Sequence, residues 1–183
     1  MNFPAIYLLH GRGGSPNGSV MQLEAELQGC GLKQNYFRPL MPHSDETVTP
    51  WTSLLHLRSL AVPNGALIVG VSLGGLIAAK LQELERPDLH VICISSPTHV
   101  GETELNTRME HRVALYSSAD SVIAGRTERW PQLAEAHDLF WLDHDTDKHK
   151  RALAQILCGY LERLDVTREL EEIQSLSKAQ QNL

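Results

Sequence analysis

The stretch Leu67-Ile68-Val69-Gly70-Val71-Ser72-Leu73-Gly74-Gly75-Leu76-Ile77-Ala78-Ala79 decides how this chain folds. Up to Val71 it is apolar at consecutive positions, the pattern of a strand covered on both faces. After Ser72 the residues Leu73, Leu76, Ile77, Leu81 and Leu84 recur at three and four residues, the period of a helix. The serine therefore sits on a sharp turn from strand to helix. Glycines at 70 and 74 suit that turn, because a Cβ at either position would collide with the strand before it or the helix after it. Such a turn raises the serine hydroxyl above the carboxyl edge of a sheet and aims the first N–H groups of the helix at charge developing beside it.

Outward from this stretch, short aliphatic runs at 5–9, 36–40, 66–71, 90–94, 112–116 and 139–142 alternate with helical periods. Val20, Leu23, Glu24 and Leu27 form one such period, and Leu153, Ile156, Leu157, Tyr160, Leu161 and Leu164 form the clearest. The alternation predicts an α/β fold: about six strands in a mostly parallel sheet, covered by helices on both faces. Right-handed crossovers then set the spatial order 2-1-3-4-5-6, with Ser72 after the third strand. No composition shift divides the chain, so residues 1–165 read as one domain. Residues 166–183 are polar and Gln-rich, with Val166, Leu170, Ile173 and Leu176 at helical spacing, and read as an appended helix or a fraying tail.

At 183 residues and 42% apolar composition, the chain can bury about 70% of its unfolded surface without a disulfide or metal staple. A net charge of −6 argues against nucleic acid as a partner. Cys30, Cys93 and Cys158 are far apart in apolar surroundings and read as reduced core thiols. No apolar run approaches membrane-spanning length, and the expectation is a soluble, cytoplasmic chain.

A second glycine-dense segment, His10-Gly11-Arg12-Gly13-Gly14-Ser15-Pro16, follows the first strand. It lacks the lysine of a phosphate-binding loop and the third glycine of a dinucleotide fingerprint, which disfavours nucleotide binding. A loop of this kind can instead supply one backbone N–H to an oxyanion hole, the other coming from the residue after the nucleophile. Arg12 and Leu73 hold those two positions.

The two motifs together resemble those of the α/β-hydrolase superfamily, most of all its small, lidless bacterial serine esterases. The resemblance spans about residues 5–164, with its specificity in residues 10–16 and 70–75. It implies a minimal form of that fold, because the chain has no residues for the further antiparallel strands with which the family sheet begins. It also implies a serine hydrolase with a nucleophile elbow at Ser72, needing no cofactor or metal and acting on a small-molecule acyl ester or thioester. Only residues 95–111 stand where the family inserts a cap domain.

Triad members in this fold appear in the order Ser, then Asp or Glu, then His. Asp120 follows the fifth strand and a turn-like Ser117-Ser118-Ala119, and takes the second place. Two histidines lie beyond the last strand. His144 precedes the good helix cap Thr146 and is the first choice for the base, while His149 falls inside the helix and is the alternative. His10 is expected to brace the oxyanion loop, and His43, His56, His90, His99 and His111 to be surface or loop residues. His137 is expected to precede the last strand. A metal-ligand reading of His144, Asp145, Asp147 and His149 matches no compact metal motif. Arg12 supplies its backbone, or attracts an anionic acyl or leaving group with its guanidinium. The same triad would serve a peptidase or amidase, and a catalytically silent binding module could keep the same fold.

Overall fold

A computed structural model of the chain describes residues 3–181, with side chains as far as Leu164. The elements in chain order are β1 (Ile6–Leu9), α1 (Ser19–Gly29), β2 (Tyr36–Phe37), a 3-10 turn (Pro42–Ser44), α2 (Pro50–Ser59), β3 (Leu67–Val71) and α3 (Leu73–Leu84). They continue with β4 (His90–Ile94), β5 (His99–Val100), β6 (Thr103–Glu104), β7 (Arg112–Tyr116), α4 (Trp130–Leu133), β8 (Glu135–Asp138) and α5 (Thr146–Gln181). The main sheet has the order β2-β1-β3-β4-β7-β8, which is 2-1-3-4-5-6 among its own strands, and every neighbouring pair is parallel.

Alternate residues of each strand feed two cores, as the two-residue period requires. Ile6, Leu8, Val69 and Leu115 face α1 and α5, where Val20, Leu23, Leu27, Leu153 and Leu157 close over them. Leu9, Ile68, Cys93 and Ala114 face the other way, toward α2, α3 and α4. Consecutive apolar residues in the central strands are the direct result, since both faces are dry.

Several expectations need correction at the periphery. The last strand is Glu135–Asp138 rather than 139–142, and His137 lies within it, opposite Leu115. This edge strand pairs on one side only and is largely exposed, so it carries no run of apolar residues. The more apolar segment that follows is a loop in which Leu142 is buried and Phe140 is 88% exposed. The second strand stops at Phe37, two residues before Pro39, which has no N–H to extend the ladder. Cys30 is exposed rather than a core thiol, whereas Cys93 and Cys158 are buried. His43 is fully buried rather than a surface residue. The segment between β4 and β7 holds one small antiparallel hairpin, β5–β6, and no cap domain. The proposed stripe from Val166 to Leu176 lies outside the described side chains. Among the described residues, no helix is long and apolar enough to cross a membrane.

One buried ion ties the amino edge of the sheet together. Arg112 opens β7 with no exposed surface, and its guanidinium donates to Gln82 Oε1 at 2.9 Å, Ala79 O at 2.9 Å, Thr107 O at 3.0 Å and Leu133 O at 3.4 Å. Burial pulls its pKa below the usual arginine value. No carboxylate touches it among those partners, so the charge is spread over neutral acceptors from α3, α4 and the loop before β7. Replacing Arg112 by Met would leave those acceptors buried without donors. The expected loss is about 3 kcal/mol of stability by urea unfolding, with the fold retained.

Candidate active site

The turn at Ser72 has the backbone that its glycines foreshadow. Ser72 adopts φ 50° and ψ −121°, a conformation that L-residues rarely take. Its N–H donates to Ile94 O at 2.8 Å, and its carbonyl accepts from Gly75 N at 3.1 Å. A Cβ on Gly70 would stand 2.4 Å from Gly75 N, and one on Gly74 would stand 2.5 Å from the His10 carbonyl oxygen. Neither neighbour is a movable side-chain tip. Both glycines are therefore needed for α3 to begin so close against β1 and β3.

The loop after β1 passes directly over this turn. A Cβ on Gly11 would lie 3.1 Å from the Ser72 Cβ and 3.7 Å from its Oγ. Within the loop, Gly13 N donates to His43 O at 2.9 Å and Gly14 N to Gly11 O at 3.1 Å. Arg12 stands between these engaged residues, and Leu73 opens α3, at a position where an N–H has no intrahelical acceptor. The Arg12 guanidinium donates to the Glu46 carbonyl at 2.7 Å.

Two buried histidines hold that loop. Met41 N–H donates to His10 Nε2 at 3.0 Å, so the His10 proton is on Nδ1 and is given to Gly11 O at 2.8 Å. His43 Nε2 donates to the His10 carbonyl at 2.8 Å. Its Nδ1 then accepts from the Ser53 hydroxyl at 2.9 Å, while Ser53 Oγ accepts from His43 N–H at 3.1 Å. Every donor in this chain meets an acceptor only if both rings are neutral. Burial lowers the His10 pKa, and burial lowers that of His43 to about 4. His10 thus braces the loop as expected, and His43 is the partner that the sequence reading missed. Its signal would have been a histidine between Pro42 and Ser44 with a serine ten residues on, which is too weak to act upon.

Across the turn, His144 and Asp120 meet. His144 Nδ1 donates to Asp120 Oδ2 at 2.9 Å, and the Asp120 side chain is 1% exposed against 25% for His144. Asp120 Oδ1 accepts from Val122 N at 2.9 Å. The turn that carries Asp120 is pinned to the edge strand, where Asp138 Oδ1 accepts from Ser118 N at 3.0 Å. Donation from Nδ1 leaves His144 Nε2 as the ring's acceptor. Ser72 and His144 line one cavity of about 260 Å³ together with Gly11, Arg12, Thr146 and Asp147.

The alternative histidine is placed otherwise. His149 lies inside α5, its Nε2 is 3.2 Å from Asp143 Oδ1, and its ring packs against Trp141 at 5.4 Å. The structure therefore brings Ser72, Arg12, Leu73, His144 and Asp120 to one end of the sheet and gives His149 a different carboxylate. Among the described residues, no three His, Cys, Asp or Glu side chains group so as to hold a metal ion.

Solved structures match the fold over most of the chain's length. Mouse alpha/beta hydrolase domain-containing protein 10 is similar at a TM-score of 0.70 and 12% identity, over 90% of each chain. An α/β serine hydrolase without lid from Xanthomonas campestris is similar at 0.65 and 14%, over 90% of this chain and 84% of that one. The chain has the α/β-hydrolase fold. A third hydrolase-fold structure, an α/β hydrolase enzyme from the sediment metagenome of the lagoon of Mar Chica, Morocco, is similar at 0.67 and 14%, over 90% of this chain and 93% of that one. No family model and no curated protein sequence matches the chain.

The neutral histidines of this hydrolase fold make its stability depend on pH. His43 and His90 are both held near a pKa of 4, below the ordinary histidine value of about 6.5, chiefly by burial, and His10 is lowered in the same way. Between pH 6.5 and about 4 the unfolded chain binds protons that the folded chain refuses. Stability is therefore greatest above that window and falls as pH drops through it. Urea unfolding across the window should show this slope. His43→Gln should flatten it.

Proposed function

We propose that this chain is a serine hydrolase that cleaves a carboxylic ester or thioester through an acyl-enzyme. The observation that carries the reading is the 2.9 Å bond from His144 Nδ1 to the buried Asp120 carboxylate, on a ring that shares a cavity with the strained Ser72. Ser72 is the nucleophile, His144 the general base, and Asp120 the group that fixes the ring's tautomer and steadies its positive charge.

In the first half-reaction the Ser72 Oγ proton passes to His144 Nε2 as Oγ bonds to the acyl carbon. The carbonyl oxygen becomes an oxyanion, which the backbone N–H groups of Arg12 and Leu73 receive. Collapse of that intermediate breaks the bond to the alcohol or thiol, and His144 returns the proton to the leaving atom. Water then repeats the sequence on the acyl-enzyme, releasing the acid and restoring the Ser72 hydroxyl. Neutral His10 and His43 keep the oxyanion loop in register without adding charge beside it.

The size of the substrate follows from what surrounds the cavity. With a two-stranded hairpin in place of a cap and about 260 Å³ between the loops, the site suits a short acyl group with its leaving group in solvent. Three unbridged cysteines are in keeping with a cytoplasmic enzyme.

Turnover of short-chain ester and thioester substrates tests the reading. Ser72→Ala should lower kcat by about 10⁶-fold while the melting temperature barely moves. His144→Ala should abolish turnover, and His149→Ala should retain most of it. Comparable activity in Ser72→Ala, or loss with His149 and not with His144, would overturn the assignment.

A further inference from the structure

Away from the site, the pairing of α1 with α5 places two of the three cysteines together. The helices run side by side in the same direction. Near their starts Gln22 accepts from Lys150 Nζ and its amide donates to Asp147 Oδ2 at 3.5 Å. One to two turns further on, Glu26, Gly29 and Cys30 from the α1 end face Arg151 and Gln155 of α5 across a cavity of about 270 Å³. Cys30 follows Gln22 by eight residues and Cys158 follows Lys150 by eight, a rise of about 12 Å along each axis. The register that joins Gln22 to Lys150 therefore brings Cys30 level with Cys158.

We infer that Cys30 and Cys158 are an oxidisable pair, which closes into one intramolecular disulfide between α1 and α5 when the protein meets a low-molecular-weight disulfide. The Cys30 side chain is close enough to weigh on the ionisation of the Cys158 thiol, and both weigh on that of Tyr36. They differ in access: Cys30 caps the exposed end of α1, while Cys158 is buried. The backbone beside Cys30 has room to adjust, since Gly31 has φ +93° and open space around it.

The chemistry balances in two exchanges. The Cys30 thiolate attacks one sulfur of the small disulfide, forming a mixed disulfide and releasing one thiol. The Cys158 thiolate then attacks the Cys30 sulfur, breaking its bond to the small molecule and releasing the second thiol. Two protein thiols are oxidised by two electrons, the small disulfide is reduced to two thiols, and the two protons leave with them. Burial, then the Cys30 contact, pushes the Cys158 thiol up to about 12, so the second exchange should quicken as pH rises. Cys93 takes no part. It is fully buried against Gly75 O, with its own thiol pushed up to about 12 by burial.

The test treats the native full-length protein with oxidised glutathione, quenches with an alkylating reagent, and reads intact and peptide masses. The expected product has lost two hydrogens, about 2 Da, carries no glutathione, and links the Cys30 and Cys158 peptides. Cys30→Ser and Cys158→Ser should each fail to form it, and Cys158→Ser should keep a glutathione adduct on Cys30. A stable glutathione adduct on Cys30 of the unsubstituted protein with Cys158 still free, a Cys30 link between two molecules, or no reaction at either thiol would each overturn the inference.

Discussion

The close approach of α3 to β1 and β3 is the constraint on which the rest of this structure depends. At Gly74 a side chain would stand 2.5 Å from the His10 carbonyl oxygen, and at Gly70 it would stand 2.4 Å from Gly75 N. Because nothing larger fits, the helix begins hard against two strands, and the residue between them is forced to positive φ at Ser72. The same contact brings the β1 loop across the turn, so that Gly11 passes within van der Waals reach of the serine. A helix set back by one methyl group would move Leu73 away from Arg12 and the loop away from Ser72.

Around that fixed point the other groups arrive on separate crossovers, each anchored independently. The β1 loop is held from outside by His43 and Ser53, the Asp120 turn by Asp138 on the edge strand, and the His144 loop by Ser95 Oγ, which donates to Asp143 O at 3.3 Å. These supports are neutral or lie at the rim, except for the Asp120 carboxylate, which is buried and faces His144. In the proposed mechanism, a buried carboxylate behind the imidazole and neutral rings behind the β1 loop favour positive charge forming on His144 and negative charge near Arg12 and Leu73.

Much of this was legible because close packing leaves marks in sequence. The two central strands, the helix after Ser72 and the strand order follow from consecutive apolar runs and glycine spacing, which a doubly covered sheet requires. The start of the last helix at Thr146 is legible from its capping residue, and the helix does begin there. What escaped notice was held by polar or one-sided contacts. The edge strand Glu135–Asp138 has no apolar pattern to read, and Leu139–Leu142 looked more like a strand because Leu142 is buried in a loop. His43 and Ser53 join α2 to the loop after β1 through hydrogen bonds that no period encodes. Cys30 and Cys158 are 128 residues apart, and only the register of two parallel helices shows that they meet.

Covalent labelling by a fluorophosphonate with peptide mapping tests whether Ser72 is an activated nucleophile. Such a reagent reacts with a serine only when a base removes its proton and an oxyanion site receives the developing charge. A single adduct is expected, on the peptide containing Ser72, that forms in the native protein and is lost on unfolding before labelling. An adduct on another serine, or no adduct while the protein remains folded, would contradict it.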